Sequence, residues 1–280
     1  MAAAGEIPEF VDEYRIEQHM LGAGSNGCVR LGVHLHSQDR VAVKIFDAQC
    51  QPQIRERAIQ EAEVLRKLRH ENIITLHGIY EEDAYIFMIM ELAERGDLSA
   101  LLERHGRLEE YTAREYFKQV VVAVLHCHQL GIAHHDLKLE NMLLTADNTI
   151  RLTDFGLSVR LDSEGLIHDH YAGSPLYMSP EIFSLQPHSE ACDVWSLGVC
   201  LYYMVTDIFP FFAETYNELE ERVLFDQVVF PANMGLSDNL RDLICRMLTK
   251  DPKQRITLAE VMQHSWWFES RRHPLAATDH

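Results

Sequence analysis

The chain has 280 residues, 47% of them hydrophobic and 9% aromatic, which is enough to bury a core and excludes a disordered composition. Its formal net charge of -18 at neutral pH disfavours nucleic acid and anionic lipid as partners and favours cationic ones. The six cysteines are scattered, without a CxxC pair or metal-ligand spacing, so their pattern predicts neither a disulfide framework nor a zinc site.

The apolar segments carry no export or membrane signal. The first ten residues, MAAAGEIPEF, lack a basic flank and an apolar stretch of signal-peptide length, and Ala2 stands where N-myristoylation needs glycine. Apolar runs such as Val120 to Leu125 are too short to span a bilayer. We therefore expect the protein in the cytoplasm and also in the nucleus, and we expect no membrane partner.

Two hydrophobic patterns divide the chain. Between Tyr14 and Glu91, alternating apolar residues predict strands, interrupted by one helix from Ile54 to Arg69. The predicted strands are the segments RIEQHM, CVRLGVHL and DRVAVKIF. After Gly96 a 3.6-residue period predicts helices, at Ala113 to Leu130, Ala191 to Val205, Asp238 to Leu248 and Leu258 to His264. We place a hinge at residues 91–97 and expect a ligand cleft between the two parts.

A glycine-rich segment, LGAGSNGCV, contains Gly22, Gly24 and Gly27, and glycines let the backbone approach phosphates closely. Alone this pattern is weak, because a turn without a ligand can share it. A dinucleotide fold would need a helix next and an acidic residue about 20 positions on. The chain continues instead as an alternating strand and reaches Lys44, which favours a glycine-rich hairpin over a nucleotide.

Lys44 lies among apolar residues in the strand VAVKIF, and a buried ammonium needs an anionic partner because an unpaired buried charge costs several kcal/mol. Two acidic residues on the following helix can supply it. Glu61 is the first candidate, because it precedes the apolar positions of that helix, and Glu63 is the alternative.

Two later segments identify a family. AHHDLKLEN, residues 133–141, and TIRLTDFG, residues 149–156, closely resemble the catalytic loop and the metal-binding loop of protein kinases. GSPLYMSPE, DVWSLG and DPKQR follow in the expected order, so the resemblance covers about residues 14–268. It is closest to serine/threonine kinases of the calcium/calmodulin-dependent and AMP-activated group.

The resemblance implies an α+β, two-lobed fold, with a small antiparallel-sheet N-lobe that has one main helix and a larger, mostly helical C-lobe. Its implied boundaries are an N-terminal extension at 1–13, a catalytic domain at 14–270 and a short tail at 271–280. The implied parts of the catalytic domain are an N-lobe at 14–90, the hinge at 91–97 and a C-lobe at 98–270.

The resemblance also implies ATP and Mg²⁺ as cofactors and assigns catalytic roles. Asp136 is the base or orienting acceptor for the substrate hydroxyl, and Lys138 lies near the γ-phosphate. Lys44, held by Glu61, binds the α- and β-phosphates. The oxygen ligands expected for magnesium come from Asn141 and Asp154.

The expected nucleotide pocket includes the glycines of the loop, Lys44 and the hinge. The resemblance implies that Met90 is the gatekeeper residue, which limits access to the back of this pocket. Its members are Leu21, Gly22, Gly24, Gly27, Val29, Ala42, Lys44, Met90, Glu91, Ala93, Asp97 and Leu143. For Asp97 a solvated surface position is an equal alternative.

Other family positions imply structural roles. We expect Glu181 and Arg255 to form a buried ion pair and Asp193 to bind the backbone of the catalytic loop. A stack of side chains is expected to link the lobes, and it contains Leu65, Leu76, His134 and Phe155.

The chain departs from the family at the usual phosphate switch. His135 replaces the arginine that holds a phosphorylated activation loop, and the loop offers His170 beside Asp169 where threonine is usual. Asn26 replaces the usual aromatic residue at the tip of the glycine loop. We therefore expect activity that does not require phosphorylation of the activation loop.

Together these features predict a serine/threonine protein kinase that acts on protein substrates. Acidic residues, Glu140 and Asp97, predict a preference for basic residues upstream of the phosphorylation site. The alternative is a nucleotide-binding pseudokinase that acts as a scaffold. The sequence identifies no regulatory subunit.

Overall fold

The computed structural model describes residues 7–24, 27–48, 52–82, 84–168 and 172–269. The expectations for Asn26, Asp169 and His170 lie outside these residues. No helix in the described part of the chain combines the length and apolar character needed to cross a membrane.

The N-terminal part is a six-stranded antiparallel sheet with the strand order β1-β2-β3-β4-β6-β5. Its strands are β1 Phe10–Val11, β2 Tyr14–Gly24, β3 Gly27–His34, β4 Arg40–Asp47, β5 Leu76–Glu82 and β6 Tyr85–Glu91. The predicted strand segments coincide with β2, β3 and β4. β6 is almost wholly buried and pairs along its whole length with β4.

The sheet begins earlier than the sequence pattern indicated. Phe10 and Val11 pair with Arg15 and Tyr14, although they belong to the segment predicted to be an N-terminal extension. Val11 is buried, with 2% of its surface exposed. Two residues are too few for a detectable alternation, so pairing with β2 and burial of Val11 decide this strand.

One helix, α1 Pro52–Lys67, packs on the sheet. It starts with proline, whose fixed φ suits the first helical position, and ends with the cations Arg66 and Lys67, which suit the C-terminal dipole. The predicted helix at 54–69 lies two residues later than the observed one. Ala58, Ala62 and Leu65 are buried at helical spacing, and this apolar face holds α1 beside the sheet.

The C-terminal part is mostly helical. Its helices are α2 Leu98–His105, α3 Glu110–Gln129, α4 Pro180–Phe183, α5 Ala191–Thr206, α6 Tyr216–Phe225, α7 Asp238–Met247 and α8 Leu258–Val261. Three predicted helices match α3, α5 and α7 closely. The predicted helix at 258–264 was too long, because α8 ends at Val261 and a turn leads into the 3-10 helix Ser265–Phe268.

α5 lies at the centre of this lobe. It is apolar on nearly all sides, and Trp195, Leu197 and Leu201 have 0% of their surface exposed. A helix that is hydrophobic all round has to be buried, and α3 and α7 pack against it. This buried helix fixes Cys192 and Asp193, at its first turn, under the catalytic loop.

Two small hairpin-like pairings frame the functional loops. β7 Ile132–Ala133 pairs with β10 Val159–Arg160, and β8 Met142–Leu144 pairs with β9 Ile150–Leu152. The segment 133–141 therefore leaves one short ladder and enters the other. Both ladders are antiparallel, and they bring residues 134–141 and 153–158 into one place.

Candidate active site

Lys44 in β4 is the centre of a three-residue ionic group. Its Nζ lies 2.8 Å from Glu61 Oε1, 2.9 Å from Glu61 Oε2 and 2.9 Å from Asp154 Oδ1. Glu61 on α1 is the observed partner, whereas Glu63 is exposed. The group therefore ties the sheet, α1 and the loop after β9 together.

Burial by itself lowers the pKa of the Lys44 ammonium, but the charges and hydrogen bonds of Glu61 and Asp154 outweigh it and raise that pKa above its ordinary value. Burial acts to raise the pKa of Asp154, and contact with Lys44 reverses this effect and leaves the pKa lowered. Lys44 is thus a fixed cation, and Asp154 a fixed anion with 42% of its side chain exposed.

Gly22, Gly24 and Gly27 lie at the facing ends of β2 and β3, and β3 pairs with β4, which contains Lys44. Gly22 pairs with Val29 and Gly24 pairs with Gly27. Gly27 has a φ of 153°, and a Cβ there would lie 2.0 Å from the Ile45 carbonyl oxygen. Only glycine fits this position, because β3 comes so close to β4.

The residues of the predicted adenine pocket come from both lobes. Ala42 pairs with Met90 across β4 and β6, and Leu143 bridges to Asp97. Met90 is buried with 6% exposed, in the same core cluster as Met88. Leu21 is 41% exposed at the edge of the glycine loop. Adenine binding at these positions stays a prediction.

Asp97 has a structural role that the sequence did not predict. Its Oδ1 accepts a hydrogen bond of 2.8 Å from the Ala100 amide and caps α2. Capping occupies one of its two carboxylate oxygens. The contact to ribose or to a basic substrate residue therefore stays a prediction for this side chain.

Asp136 is the centre of a second polar group, in the catalytic loop. Lys138 Nζ donates to Asp136 Oδ2 at 2.6 Å, and Asn141 Nδ2 donates to the same oxygen at 3.2 Å. The hydroxyl of Ser174 donates to Asp136 Oδ1 at 2.9 Å and accepts from Lys138 at 3.0 Å. The Asp136 carboxylate thus accepts a serine hydroxyl beside a lysine ammonium.

Gly173 permits this contact between the activation segment and the catalytic loop. Its φ is 113°, and a Cβ there would lie 2.8 Å from the carbonyl oxygen of His135. Any larger residue would push Ser174 away from Asp136.

Asp193 at the start of α5 holds the catalytic loop from below, as predicted. The amides of His134 and His135 donate to its two oxygens at 2.8 and 2.9 Å, and His128 Nε2 lies 2.8 Å from Oδ2. Burial acts to raise the Asp193 pKa, but the bond from His128 and the nearby histidines lower it to about 2. These bonds also hold His135 at a φ of 66°, which is uncommon for a residue other than glycine.

The predicted stack between the lobes and the predicted ion pair are both present. His134 and Phe155 are buried with ring centroids 4.7 Å apart, Leu65 lies in the same core cluster and Leu76 packs against it. The His134 ring uses both nitrogens, one beside the Thr153 carbonyl and one as acceptor for the Asp136 amide, so it is a packing residue. The ion pair joins Arg255 to Glu181 at 2.6 and 2.9 Å.

The residues predicted to hold magnesium have a suitable set of donor atoms. Asn141 donates through Nδ2 to the Asp136 carbonyl at 2.8 Å, and its amide oxygen is an acceptor of the type magnesium takes. Asp154 provides an exposed carboxylate. The Thr153 amide donates to the Asn141 carbonyl at 3.0 Å, which keeps the two segments adjacent. Hard oxygen donors beside the cations Lys44 and Lys138 fit a magnesium-bound phosphate chain.

Sequence reasoning missed several contacts of the site. Arg151 Nε donates to Glu91 Oε1 at 2.7 Å and fixes the hinge to β9. The scattered cysteines predicted no metal site, yet Cys192 lies within a buried group that also contains His135 and His188. No linear spacing could indicate this group, because His188 is 53 positions from His135.

The structure has the two lobes that the sequence predicted, and two polar groups lie in it around Lys44 and Asp136. Residues 15–267 match the protein kinase domain family. The chain belongs to this family.

The chain is 36% identical over 253 residues to the probable serine/threonine-protein kinase MARK-B of Dictyostelium discoideum, an alignment that covers 88% of the chain and 35% of the relative. It is 34% identical over 261 residues to the probable serine/threonine-protein kinase MARK-A of the same organism, covering 92% of the chain and 24% of the relative. The chain therefore spans about a third and about a quarter of the length of these two relatives.

Proposed function

We propose that the chain transfers the γ-phosphate of ATP to serine and threonine hydroxyls of proteins. The observation that carries this proposal is the position of Asp136, which contacts Lys138, Asn141 and a serine hydroxyl at the same time. A carboxylate that accepts a hydroxyl beside a cation meets the requirements for orienting a phosphoryl acceptor.

Each residue has a separate role in the proposed phosphoryl transfer. Magnesium-ATP, when bound, supplies the phosphoryl group. Lys44, held by Glu61, binds the phosphate chain, and Asn141 with Asp154 holds the metal. Asp136 orients the substrate hydroxyl and receives its proton, while Lys138 offsets negative charge on the transferred group. Ser174 donates to Oδ1 of Asp136, and Lys138 and Asn141 donate to Oδ2, so we infer that the incoming hydroxyl takes the place of one of these donors.

The substitution Asp136→Asn tests the assignment. The amide cannot take up the proton, so turnover should fall about 10²- to 10⁴-fold, while binding of an ATP analogue, measured by calorimetry, changes little. Asp39→Asn is the control, because Asp39 is exposed in the hairpin between β3 and β4. An Asp136→Asn protein as active as the wild type would exclude this role. If the wild type itself showed no phosphotransfer, the chain would be a pseudokinase.

We further propose that the preferred substrates carry basic residues upstream of the phosphorylated hydroxyl. Glu140 is exposed immediately before Asn141, and the whole chain is strongly acidic. The Tyr177 hydroxyl lies 3.4 Å from Glu140 Oε2, which orients this carboxylate beside the activation segment. An exposed carboxylate at this place suits an arginine of the substrate.

A peptide library separates this proposal from the proposed phosphotransfer. Wild type should select arginine before the target serine, the selection should weaken as salt screens the charges, and Glu140→Ala should reduce it. Glu103→Ala, an exposed glutamate on α2, is the matched control. Phosphorylation without selection for arginine would contradict the charge preference and leave the phosphotransfer intact.

A further inference from the structure

Three buried side chains under the catalytic loop bring metal-ligating atoms together. The ring nitrogens of His135 and His188 and the Cys192 sulfur lie within 4.8 Å of one another. All three residues are buried, with 5%, 4% and 2% of their surfaces exposed. Imidazole with thiolate is a ligand set for zinc and other ions of borderline softness, and not for magnesium.

The two imidazoles have the separation that a shared ion requires. Their Nε2 atoms are 3.2 Å apart, and the ring centroids are 4.8 Å apart. Two nitrogens that are each bound about 2.0–2.1 Å from one tetrahedral ion lie about 3.3 Å from each other. A small rotation of either ring therefore admits an ion between them.

A neighbouring carbonyl sets the orientation of one ligand. His188 Nδ1 lies 2.9 Å from the Gln186 carbonyl oxygen, and because a carbonyl only accepts, Nδ1 carries the proton. The lone pair of His188 Nε2 therefore points to the cluster. Metal-bound histidines commonly donate their second N–H to a backbone carbonyl in this way.

The surroundings accommodate a cation. A small cavity of about 10 Å³, bordered by His135, Gly173 and Cys192, lies beside the cluster, and such a volume holds a single water-sized guest. Asp193 follows Cys192 directly and holds the His135 amide, so a fixed negative charge adjoins the site.

We propose that His135 Nε2, His188 Nε2 and Cys192 Sγ form a binding site for one zinc ion, with the fourth position open to the adjoining cavity. Binding releases the proton of the Cys192 thiol to solvent and moves the Nε2 proton of His135 to Nδ1. The site has an open position like those of three-ligand zinc sites.

Such an ion would link three parts of the chain that no covalent bond joins. His135 immediately precedes Asp136, and Cys192 begins α5. His188 pairs with Ile167 of the activation segment through reciprocal backbone bonds of 2.7 and 3.1 Å. The ion would therefore fix the activation segment to the catalytic loop at the place where the family uses an arginine, a consequence that rests on the proposed function.

Zinc binding is measured first without nucleotide or magnesium, so it does not depend on kinase activity. The full chain is freed of metal with a chelator, and Zn²⁺ alone is titrated with calorimetry and metal analysis. We expect about one zinc ion per chain and a rise in the melting temperature. With Co²⁺ as a second probe, a thiolate-to-cobalt charge-transfer band in the near ultraviolet should report the Cys192 bond.

Two variants and two controls locate the ion. Cys192→Ser and His188→Gln should lower zinc affinity about 100-fold or more and should abolish the cobalt band or shift it. Cys200→Ser is the matched control, since Cys200 is also buried on α5 but lies outside the cluster. His36→Ala is the second control, because Glu13, His34 and His36 form another, exposed group of possible ligands.

Absence of zinc binding, or binding without a thiolate band, would overturn the proposal and would leave the histidines as a hydrogen-bonded pair. Loss of zinc in His36→Ala but not in Cys192→Ser would also overturn it. The variants are compared by melting temperature without metal, so that a variant which does not fold is recognised. His188→Gln then provides the decisive comparison if Cys192→Ser is unfolded. If zinc binds as proposed but the metal-loaded and metal-free chains are equally active, only the link to the activation segment is refuted.

Discussion

Each lobe contains a buried ion pair, and the two pairs differ in their surroundings. Arg255 and Glu181 are enclosed in the C-lobe, with 0% and 3% of their side chains exposed, and Arg255 also donates to the carbonyls of Ala191, Lys250 and Thr249. Lys44 and Glu61 are 14% and 3% exposed, and Lys44 has a second anion, Asp154, at the open edge of the cleft.

The difference between the two pairs lies in how many of the cation's donors are satisfied within the protein and how close the pair is to solvent. The C-lobe pair satisfies nearly every donor of the guanidinium internally, so it has no capacity left for a ligand. The ammonium of Lys44 is held by two carboxylates beside a partly exposed loop, where a phosphate chain can approach. The predictions below separate the stability carried by one pair from the activity carried by the other.

The largest expected effect on stability follows loss of the enclosed pair. Glu181→Gln leaves the Arg255 charge buried without its anion, so the free energy of unfolding should fall by about 3–5 kcal/mol. Denaturant titration measures it. Glu81→Gln is the control, because its pair with Arg55 is half exposed and solvent screening leaves it little effect on stability. If Glu181→Gln and Glu81→Gln lost equal unfolding free energy, the enclosed pair would not be the more stabilising one.

The open pair should affect activity more than stability. In Glu61→Gln, Lys44 keeps Asp154 but loses its fixed position, and a displaced phosphate-binding group costs about 10²-fold in kcat/KM. Peptide phosphorylation and denaturant titration are measured together. Glu63→Gln, on the exposed face of the same helix, should behave as the wild type. If Glu61→Gln kept full activity and lost as much unfolding free energy as Glu181→Gln, the two ion pairs would have the same role.

The smallest expected effect is a pH dependence carried by Asp193. Its pKa in the folded state, about 2, is below its ordinary value, so the carboxylate stabilises the fold above about pH 4 and this contribution is lost as pH falls towards 2. The shift corresponds to about 2 kcal/mol. The difference in unfolding free energy between wild type and Asp193→Asn should shrink across that window. A difference that stays constant from pH 6 to 2 would refute this role.

Local sequence was sufficient for most elements, and it also predicted which side chains lie together around Lys44 and Asp136. The alternating segments β2 to β4, the 3.6-residue period of α3, α5 and α7, and the ordered motifs around Asp136 and Asp154 are each short-range signals. The choice of Glu61 over Glu63 also followed from the sequence, because Glu61 lies on the apolar side of α1. Capping of α2 by Asp97 and the end of α8 at Val261 did not, because competing local hydrogen bonds decide helix ends.

The sequence by itself determined the family and the two lobes, because those depend on residue types at fixed short spacings. Only the tertiary structure decided which distant residues meet. β1 joins the sheet through pairing, Arg151 fixes Glu91 at the hinge, and His188 with Cys192 comes to His135. The last of these contacts depends on how the buried helix α5 and the activation segment pack beneath the catalytic loop, and a linear pattern does not record packing between residues more than 50 positions apart.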